Sequence, residues 1–353
     1  MSNSFTANKN PLKGWRVDRA AIRHVGHGLQ RPECVLAEQD GTLWVADARG
    51  GVMRIGNDQA QTLITPKVLD AAAHDPRDED FDARYVAAQG SLPNGLAFDA
   101  NGDILIANWG TDAIERMSRS GHLQTLHDSV RGQALGKANF VLRDRKGRIW
   151  FTVTTREVPW TRQLQTRTSD GYIGLIDERG CRVVAEGFCG TNEIRFDAGE
   201  EWLYVVESTG RRISRLRVGA DGELGAREVV GPAQLPGFPD GFAFDSFGNL
   251  WITLIFSDEL IALTPEGELL TLLDDSTPQT KARLLQAFDA GALTPEIIAA
   301  THGTLAPWMA SITFGGPDLR TVYLGSLRGT TLPSFRSPLP GLAPVHWNDS
   351  PTR

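Results

Sequence analysis

Five side chains that carry a carboxylate or a carboxamide recur at one position relative to a repeated apolar strand. Each stands ten or eleven residues before the aliphatic residue that opens the strand. They are Glu33, Asn94, Asn139, Asn192 and Asp240, and a sixth repeat offers only Ser311. Carboxylate, carboxamide and water oxygens suit a hard divalent ion, and two facing carboxylates are costly to bury without a cation. The pattern therefore predicts one metal site, with calcium as the first choice and zinc, manganese or iron as alternatives.

A purely structural role for these polar residues stays open. Pro93-Asn94-Gly95 and Pro239-Asp240-Gly241 are ordinary turn signals, since Pro, Asn, Asp and Gly all favour turns. Asn and Asp could simply begin strands there. Glu33 fits that interpretation less well, because Glu is a poor turn former.

The strands around these residues predict the fold. A strand, a turn built on Asp, Asn or Gly, and a second strand that opens with an aliphatic residue recur six times; the aliphatic residues are Leu43, Ile104, Ile149, Leu203, Leu250 and Val322. The shorter separations match a four-stranded propeller blade of about 40–50 residues. Radially arranged blades bury both faces of each sheet. We therefore predict one all-β domain over residues 1–353, a six-bladed β-propeller rather than a large sandwich, with the polar side chains at one channel mouth.

Two segments fall outside the repeat. Residues 70–90 carry a dense charged patch from His74 to Arg84 and are interpreted as a loop. Residues 275–302 are predicted to form two short helices, because Thr277-Pro278 and Thr294-Pro295 each place a capping residue before a proline. This helical insertion between the fifth and sixth blades could act as a lid over one end of the propeller or pack on its rim.

Composition and charge exclude some classes of partner. The formal net charge of -7 argues against binding nucleic acid, which requires a basic face. The sequence has no apolar run of about 18 residues, so no membrane span is expected. Three cysteines without CxxC spacing, and a polar start that does not look like a signal peptide, indicate a cytoplasmic protein. A small-molecule substrate is the expected partner, and the oligomeric state stays open.

Several stretches resemble the family of regucalcin, gluconolactonase, senescence marker protein and luciferin-regenerating enzyme. These are six-bladed propellers that include sugar lactonases and are similar to diisopropyl fluorophosphatase. The resemblance spans roughly residues 31–340, and it is carried by Pro32-Glu33, the run from Pro93 to Asp99, Asn139 before Trp150-Phe151-Thr152, Asn192, and Pro239-Asp240-Gly241. The most family-specific run extends from Phe314 to Tyr323.

The resemblance implies roles for particular residues. It implies three metal ligands, Glu33, Asn192 and Asp240. It also implies that Asn139 faces the metal or the substrate, and that Lys137 and Glu157 contact the substrate. The neighbours depart from the family pattern, because Cys34 follows Glu33 and Phe140 follows Asn139. This departure indicates a less polar pocket than one built for a bare sugar lactone.

Pattern and resemblance together predict a metal-dependent hydrolase that opens a small lactone. The metal would polarise the ester carbonyl, while Asp240 would bind it and help to deprotonate the attacking water. Asn94, Asn139 and Lys137 would orient the substrate. Trp109 could line the pocket, although an aromatic residue packed in a blade is the more frequent outcome. A non-catalytic binding propeller, a phosphotriesterase, and a hydratase or isomerase are the alternatives that remain.

Overall fold

The computed structural model describes residues 9–66 and 90–349. Within these ranges, six antiparallel sheets of four strands each confirm the predicted six-bladed propeller. The first strand of each blade contacts the first strands of the two neighbouring blades, and blade 6 contacts blade 1. These first strands therefore close a ring around a central channel. The predicted charged loop, including the patch from His74 to Arg84, lies outside the described residues.

The first five blades follow the chain in order. Blade 1 consists of Val35–Ala37, Leu43–Asp47, Gly51–Ile55 and Gln61–Ile64. Blade 2 consists of Pro93–Phe98, Ile104–Asn108, Ala113–Met117 and Leu123–His127, and a small hairpin of Ser129–Val130 and Gln133–Ala134 follows it. Blade 3 consists of Ala138–Arg143, Ile149–Val153, Gly171–Asp177 and Gly180–Phe188. Blade 4 consists of Thr191–Phe196, Trp202–Glu207, Arg212–Val218 and Leu224–Val230. Blade 5 consists of Phe238–Phe244, Leu250–Ile255, Glu259–Leu263 and Leu269–Asp274.

Blade 6 combines one strand from the N-terminal part of the chain with three strands from its C-terminal part. Its inner strands are Met309–Gly315, Thr321–Ser326 and Leu332–Arg336. Its outer strand is Arg23–Val25, which precedes blade 1 in the sequence and pairs antiparallel with Leu332–Arg336. This pairing closes the ring through backbone hydrogen bonds, which no local pattern around Arg23 indicates.

Three blades have a buried tryptophan at the same position of the repeated strand–turn–strand signature. An acidic residue at the end of the first strand accepts a hydrogen bond from the indole Nε1 six residues later; the pairs are Glu38–Trp44, Asp144–Trp150 and Asp245–Trp251, at 2.6, 2.9 and 2.9 Å. Each ring then packs edge-on against a phenylalanine of the next blade; these contacts are Trp44–Phe98, Trp150–Phe196 and Trp251–Phe314. The turn that marks the repeat in sequence therefore also fixes the contact between neighbouring blades.

Truncating one of these rings should destabilise the propeller strongly. Trp251 is fully buried and also lies against Trp15 and Phe335. We expect Trp251→Ala to lower the free energy of unfolding by about 3–5 kcal/mol, because it leaves a large cavity. Urea denaturation measures this loss, and Trp202→Ala, at a partly exposed ring, is the control. A loss below about 1 kcal/mol would rule out this packing role.

The two predicted helices are confirmed at Pro278–Asp289 and Pro295–Ala299, between blades 5 and 6. A further helix, Gln163–Thr166, follows the 3-10 turn Trp160–Arg162 inside blade 3, and other 3-10 turns lie at Arg19–Ala21 and Val345–Asn348. Among the described residues, none of the helices has the length and apolar character needed to cross a bilayer.

Buried carboxylates at the end of blade 5 anchor the segment that follows the helical insertion. Asp258 accepts hydrogen bonds from the backbone N–H groups of Gly303 and Met309, and burial raises its pKa to about 6. Asp275 accepts from the backbone N–H groups of Thr304 and Leu305. The segments that enter and leave the insertion are therefore held beside each other at the end of blade 5.

Candidate functional site

The predicted polar residues converge because the first strands of five blades carry a bulge where they begin. The pairing between first and second strands shifts register there; the residues in or beside these shifts include Asn94, Asn139, Asn192, Asp240 and Ser311. A bulge leaves a residue outside the ladder and re-aims its side chain. Glu33 lies just before the first strand of blade 1, where its carbonyl accepts a hydrogen bond from Ser311 Oγ. Five of the six predicted side chains, all except Ser311, line one cavity at this end of the channel.

Hydrogen bonds join the ring into two groups. On one side, Asn192 Nδ2 donates to Asp240 Oδ1 and, at 3.1 Å, to Ser208 Oγ. Ser208 Oγ in turn donates to the carbonyl of Pro239 at 2.6 Å. These bonds use both hydrogens of the Asn192 amide. Only its Oδ1, which is an acceptor, is left to make a further contact.

On the other side of the ring lies Arg31, which sequence reasoning missed. Its guanidinium Nη1 lies 2.7 Å from Glu33 Oε2, and its Nη2 donates to Asn94 Oδ1 at 3.0 Å. Asn94 Nδ2 donates to the carbonyl of Asn139 at 2.9 Å. Arg31 is only 5% exposed and has a backbone φ of 50°, a conformation that is uncommon for a residue other than glycine. The available signal was its position two residues before Glu33, but that spacing places both side chains on one face only in an extended segment, and the backbone of Arg31 is left-handed.

The site holds more negative than positive charge. Glu33 pairs with Arg31, and the buried Glu193 pairs with Arg195 at 2.8 Å. In the described ranges, no lysine or arginine forms an ion pair with Asp240. Burial, and then the nearby charges of Glu33 and Glu193, raise the pKa of Asp240 well above its ordinary value. Burial likewise raises the pKa of Glu193 to about 7.

These groups fit a hard cation held by oxygen atoms. The Oδ1 atom of Asn139 is buried and accepts no hydrogen bond from any described residue. Asp240 supplies a buried carboxylate that forms no ion pair with a described lysine or arginine, and Glu33 supplies another buried carboxylate, which is paired with Arg31. In residues 9–66 and 90–349, no group of three or more His, Cys, Asp or Glu side chains could hold a metal. The donor set is therefore a mixture of carboxylates and carboxamides, as calcium accepts, and not a cluster of soft ligands.

The remaining predicted residues lie in different places. Trp109 lines the cavity, which is the less frequent of the two outcomes considered for it. Lys137 is buried but does not line the cavity, and its ammonium lies 3.5 Å from Asp112 Oδ1 and over the Trp109 ring. Glu157 is half-buried, also lies off the cavity wall, and accepts a hydrogen bond from Thr168. Direct contact of Lys137 or Glu157 with a substrate stays a prediction.

Cys34 and Phe140 do not form the mouth of the cavity. They lie deeper in the channel, next to Glu193. Burial raises the pKa of the Cys34 thiol to about 12, so it stays protonated and serves as a packing group that bonds Leu96. The apolar character expected of the pocket comes instead from other residues; these are Trp109, Trp160, Leu164, Phe238, Ile255, Phe256, Trp308 and Leu327.

A six-bladed propeller with a ring of carboxylates and carboxamides at one channel mouth defines a class of proteins. The chain belongs to the SMP-30/Gluconolactonase/LRE-like family, whose model matches residues 32–282. Among curated proteins it is 25% identical over 179 residues to 6-deoxy-6-sulfogluconolactonase of Pseudomonas putida. That alignment covers 48% of this chain and 52% of the relative, so it spans about half the length of the relative.

Solved structures share the fold over most of their length. A gluconolactonase from Xanthomonas campestris has a TM-score of 0.62 and 19% identity, over 93% of this chain and 94% of that one. The calcium-binding protein regucalcin from Agrobacterium tumefaciens has a TM-score of 0.60 and 16% identity, over 90% and 95% of the two chains. At these identities, the likeness establishes the architecture.

Proposed function

We propose that this chain is a metal-dependent lactonase that adds water to a small cyclic ester. The observation that carries the proposal is the buried carboxylate of Asp240, which lies in the same cavity as Glu33 without an ion pair of its own in the described ranges. Membership of a gluconolactonase family and the names of the similar proteins support a lactone as the substrate class. The calcium-binding description of the Agrobacterium structure supports calcium as the metal.

Glu33, Asn192 and Asp240 would hold the ion, and the orphaned Oδ1 of Asn139 would complete the donor set. When bound, the ion supplies Lewis-acid polarisation of the ester carbonyl. Asn192 keeps Asp240 in place through its amide hydrogens. The carboxylates also neutralise the charge of a divalent ion, which explains why two of them are buried together.

The residues of the chain then carry the proton and the substrate. Asp240 accepts a proton from water as the water oxygen bonds to the carbonyl carbon, and it returns that proton to the ring oxygen as the ring C–O bond breaks, which gives a hydroxy acid. Asn94 and Asn139 orient the ester. The guanidinium of Arg31 adds positive charge close to the carboxylate that forms.

Removal of the metal tests this proposal. Lactone opening releases a proton at neutral pH, so a pH-stat follows it directly. After treatment with a chelator and buffer exchange, we expect turnover of a lactone panel to fall at least tenfold and to return on addition of calcium, zinc, manganese or iron(II). A phosphotriester in the same panel is the negative control. Full turnover by protein shown to be metal-free would contradict the proposal.

A further inference from the structure

The cavity above the polar ring has an aromatic wall contributed by separate parts of the chain. Trp109 follows the second strand of blade 2, and Trp160 lies in the 3-10 turn of blade 3; their rings meet edge-on at 5.4 Å. On the opposite side, Phe256 packs against Trp308 at 5.2 Å and against Phe238 at 6.0 Å. Together with the polar ring, these side chains line one cavity that opens to solvent.

The helical insertion supports this wall from behind. Phe288 of the helix Pro278–Asp289 packs edge-on against Phe238 at 4.7 Å. Arg167, just after the helix of blade 3, donates to the carbonyl of Phe288 and lies over its ring. No residue of 275–302 lines the cavity itself. The insertion and the loop of blade 3 are thus bonded to each other and hold the aromatic residues in position.

Two hydrogen-bond donors on the wall are unused. The indole Nε1 atoms of Trp109 and Trp160 are buried and have no hydrogen-bond partner among the described residues. A buried tryptophan N–H normally finds a partner, and leaving it unpaired costs free energy. Since both rings line the cavity, a bound ligand is the natural acceptor.

Three polar residues that line the same cavity each donate a hydrogen bond within the protein. Thr154 Oγ1 donates to the carbonyl of Thr191 at 2.8 Å, and Gln163 Nε2 donates to Thr209 Oγ1 at 3.0 Å. Ser208 is bonded to Asn192 and Pro239. A polyhydroxylated ring would place several hydroxyl groups against aromatic carbon, and those left without a partner would be costly to bury.

We propose that this aromatic wall binds an apolar substituent of the substrate, so that aryl or alkyl lactones are preferred over sugar lactones. The inference rests on the proposed lactonase function. The aromatic or alkyl part lies between the tryptophans and phenylalanines. An ether oxygen on that part of the ligand accepts from the indole N–H groups, and the ester reaches the polar ring.

The test compares kcat/KM for dihydrocoumarin, an aryl lactone, with that for glucono-δ-lactone and for unsubstituted δ-valerolactone. We expect wild type to prefer dihydrocoumarin over the sugar lactone at least tenfold. Trp109→Phe and Trp160→Phe keep a ring but remove the donor, and each should lower the preference for a methoxy-substituted dihydrocoumarin, whose methoxy oxygen can accept, over dihydrocoumarin itself about threefold to tenfold. Trp202→Phe, in blade 4 and away from the cavity, should leave that ratio unchanged. A preference for the sugar lactone, or an unchanged ratio in both cavity variants, would overturn the inference.

A binding measurement separates this inference from the proposed function. The corresponding methoxy-substituted lactam, a methoxy-3,4-dihydro-2-quinolinone, has the shape of the methoxy-substituted dihydrocoumarin but resists hydrolysis, and calorimetry measures its affinity. Binding that weakens in Trp109→Phe and Trp160→Phe supports the aromatic subsite, even if no lactone is turned over and the proposed function fails. Turnover of lactones without a preference for aryl or alkyl rings would overturn the subsite alone.

Discussion

Asp240→Asn should reduce kcat/KM for lactone hydrolysis by about a thousandfold, since the change removes both a metal ligand charge and the proton acceptor. The same change should not weaken the fold. Asparagine has the shape of aspartate, and its Oδ1 can still accept the hydrogen bond from Asn192. Because burial and neighbouring carboxylates disfavour the charged form of Asp240, the metal-free variant should unfold at an equal or higher temperature than the wild type.

Initial rates with a saturating metal, together with thermal unfolding, measure both effects. Asp221→Asn, at an exposed turn position, is the control for removing one negative charge. Retained turnover in Asp240→Asn would show that Asp240 takes no part in the reaction. A large loss of stability would instead assign it a structural role.

Arg31→Gln should have opposite effects on stability and on metal binding. Without metal, the variant leaves the buried carboxylate of Glu33 without its paired cation, which costs about 3–5 kcal/mol of unfolding free energy. With metal, the variant should bind the ion more tightly than wild type does, because the guanidinium no longer competes for Glu33 Oε2 and Asn94 Oδ1. We expect calcium to bind at least tenfold more tightly than to wild type, and to restore most of the lost stability.

Calorimetric titration and urea denaturation with and without calcium measure these changes. Arg336→Gln removes the same charge from an exposed pair with Asp318 and should change neither quantity appreciably. Equal calcium affinity in Arg31→Gln and wild type would show that the guanidinium and the cation do not share the site.

The spacing of residues in the sequence was sufficient to predict the blades and the polar ring. Equivalent positions in a repeat become equivalent positions around the channel, so Glu33 and Asp240 could be placed at one mouth from their distance to Leu43 and Leu250 alone. The Thr-Pro pairs predicted both helices of the insertion for an equally local reason.

Other features depend on contacts that no local pattern records. The outer strand of blade 6, Arg23–Val25, pairs with residues more than 300 positions away. Arg31 reaches Glu33 and Asn94 from a left-handed backbone conformation, which spacing does not reveal. Trp160 reaches the cavity from a loop inside blade 3, outside the repeat. Each of these features is set by tertiary packing.

The proposed mechanism depends most on a divalent cation between Glu33 and Asp240, and calorimetric titration of calcium into chelator-treated protein tests this cation site most directly. Wild type should bind one ion per chain, and Asp240→Asn, folded as judged by circular dichroism, should bind none at the same concentrations. Wild type that binds neither calcium nor zinc, manganese or iron(II), or a variant that binds calcium as tightly as wild type, would contradict the metal site.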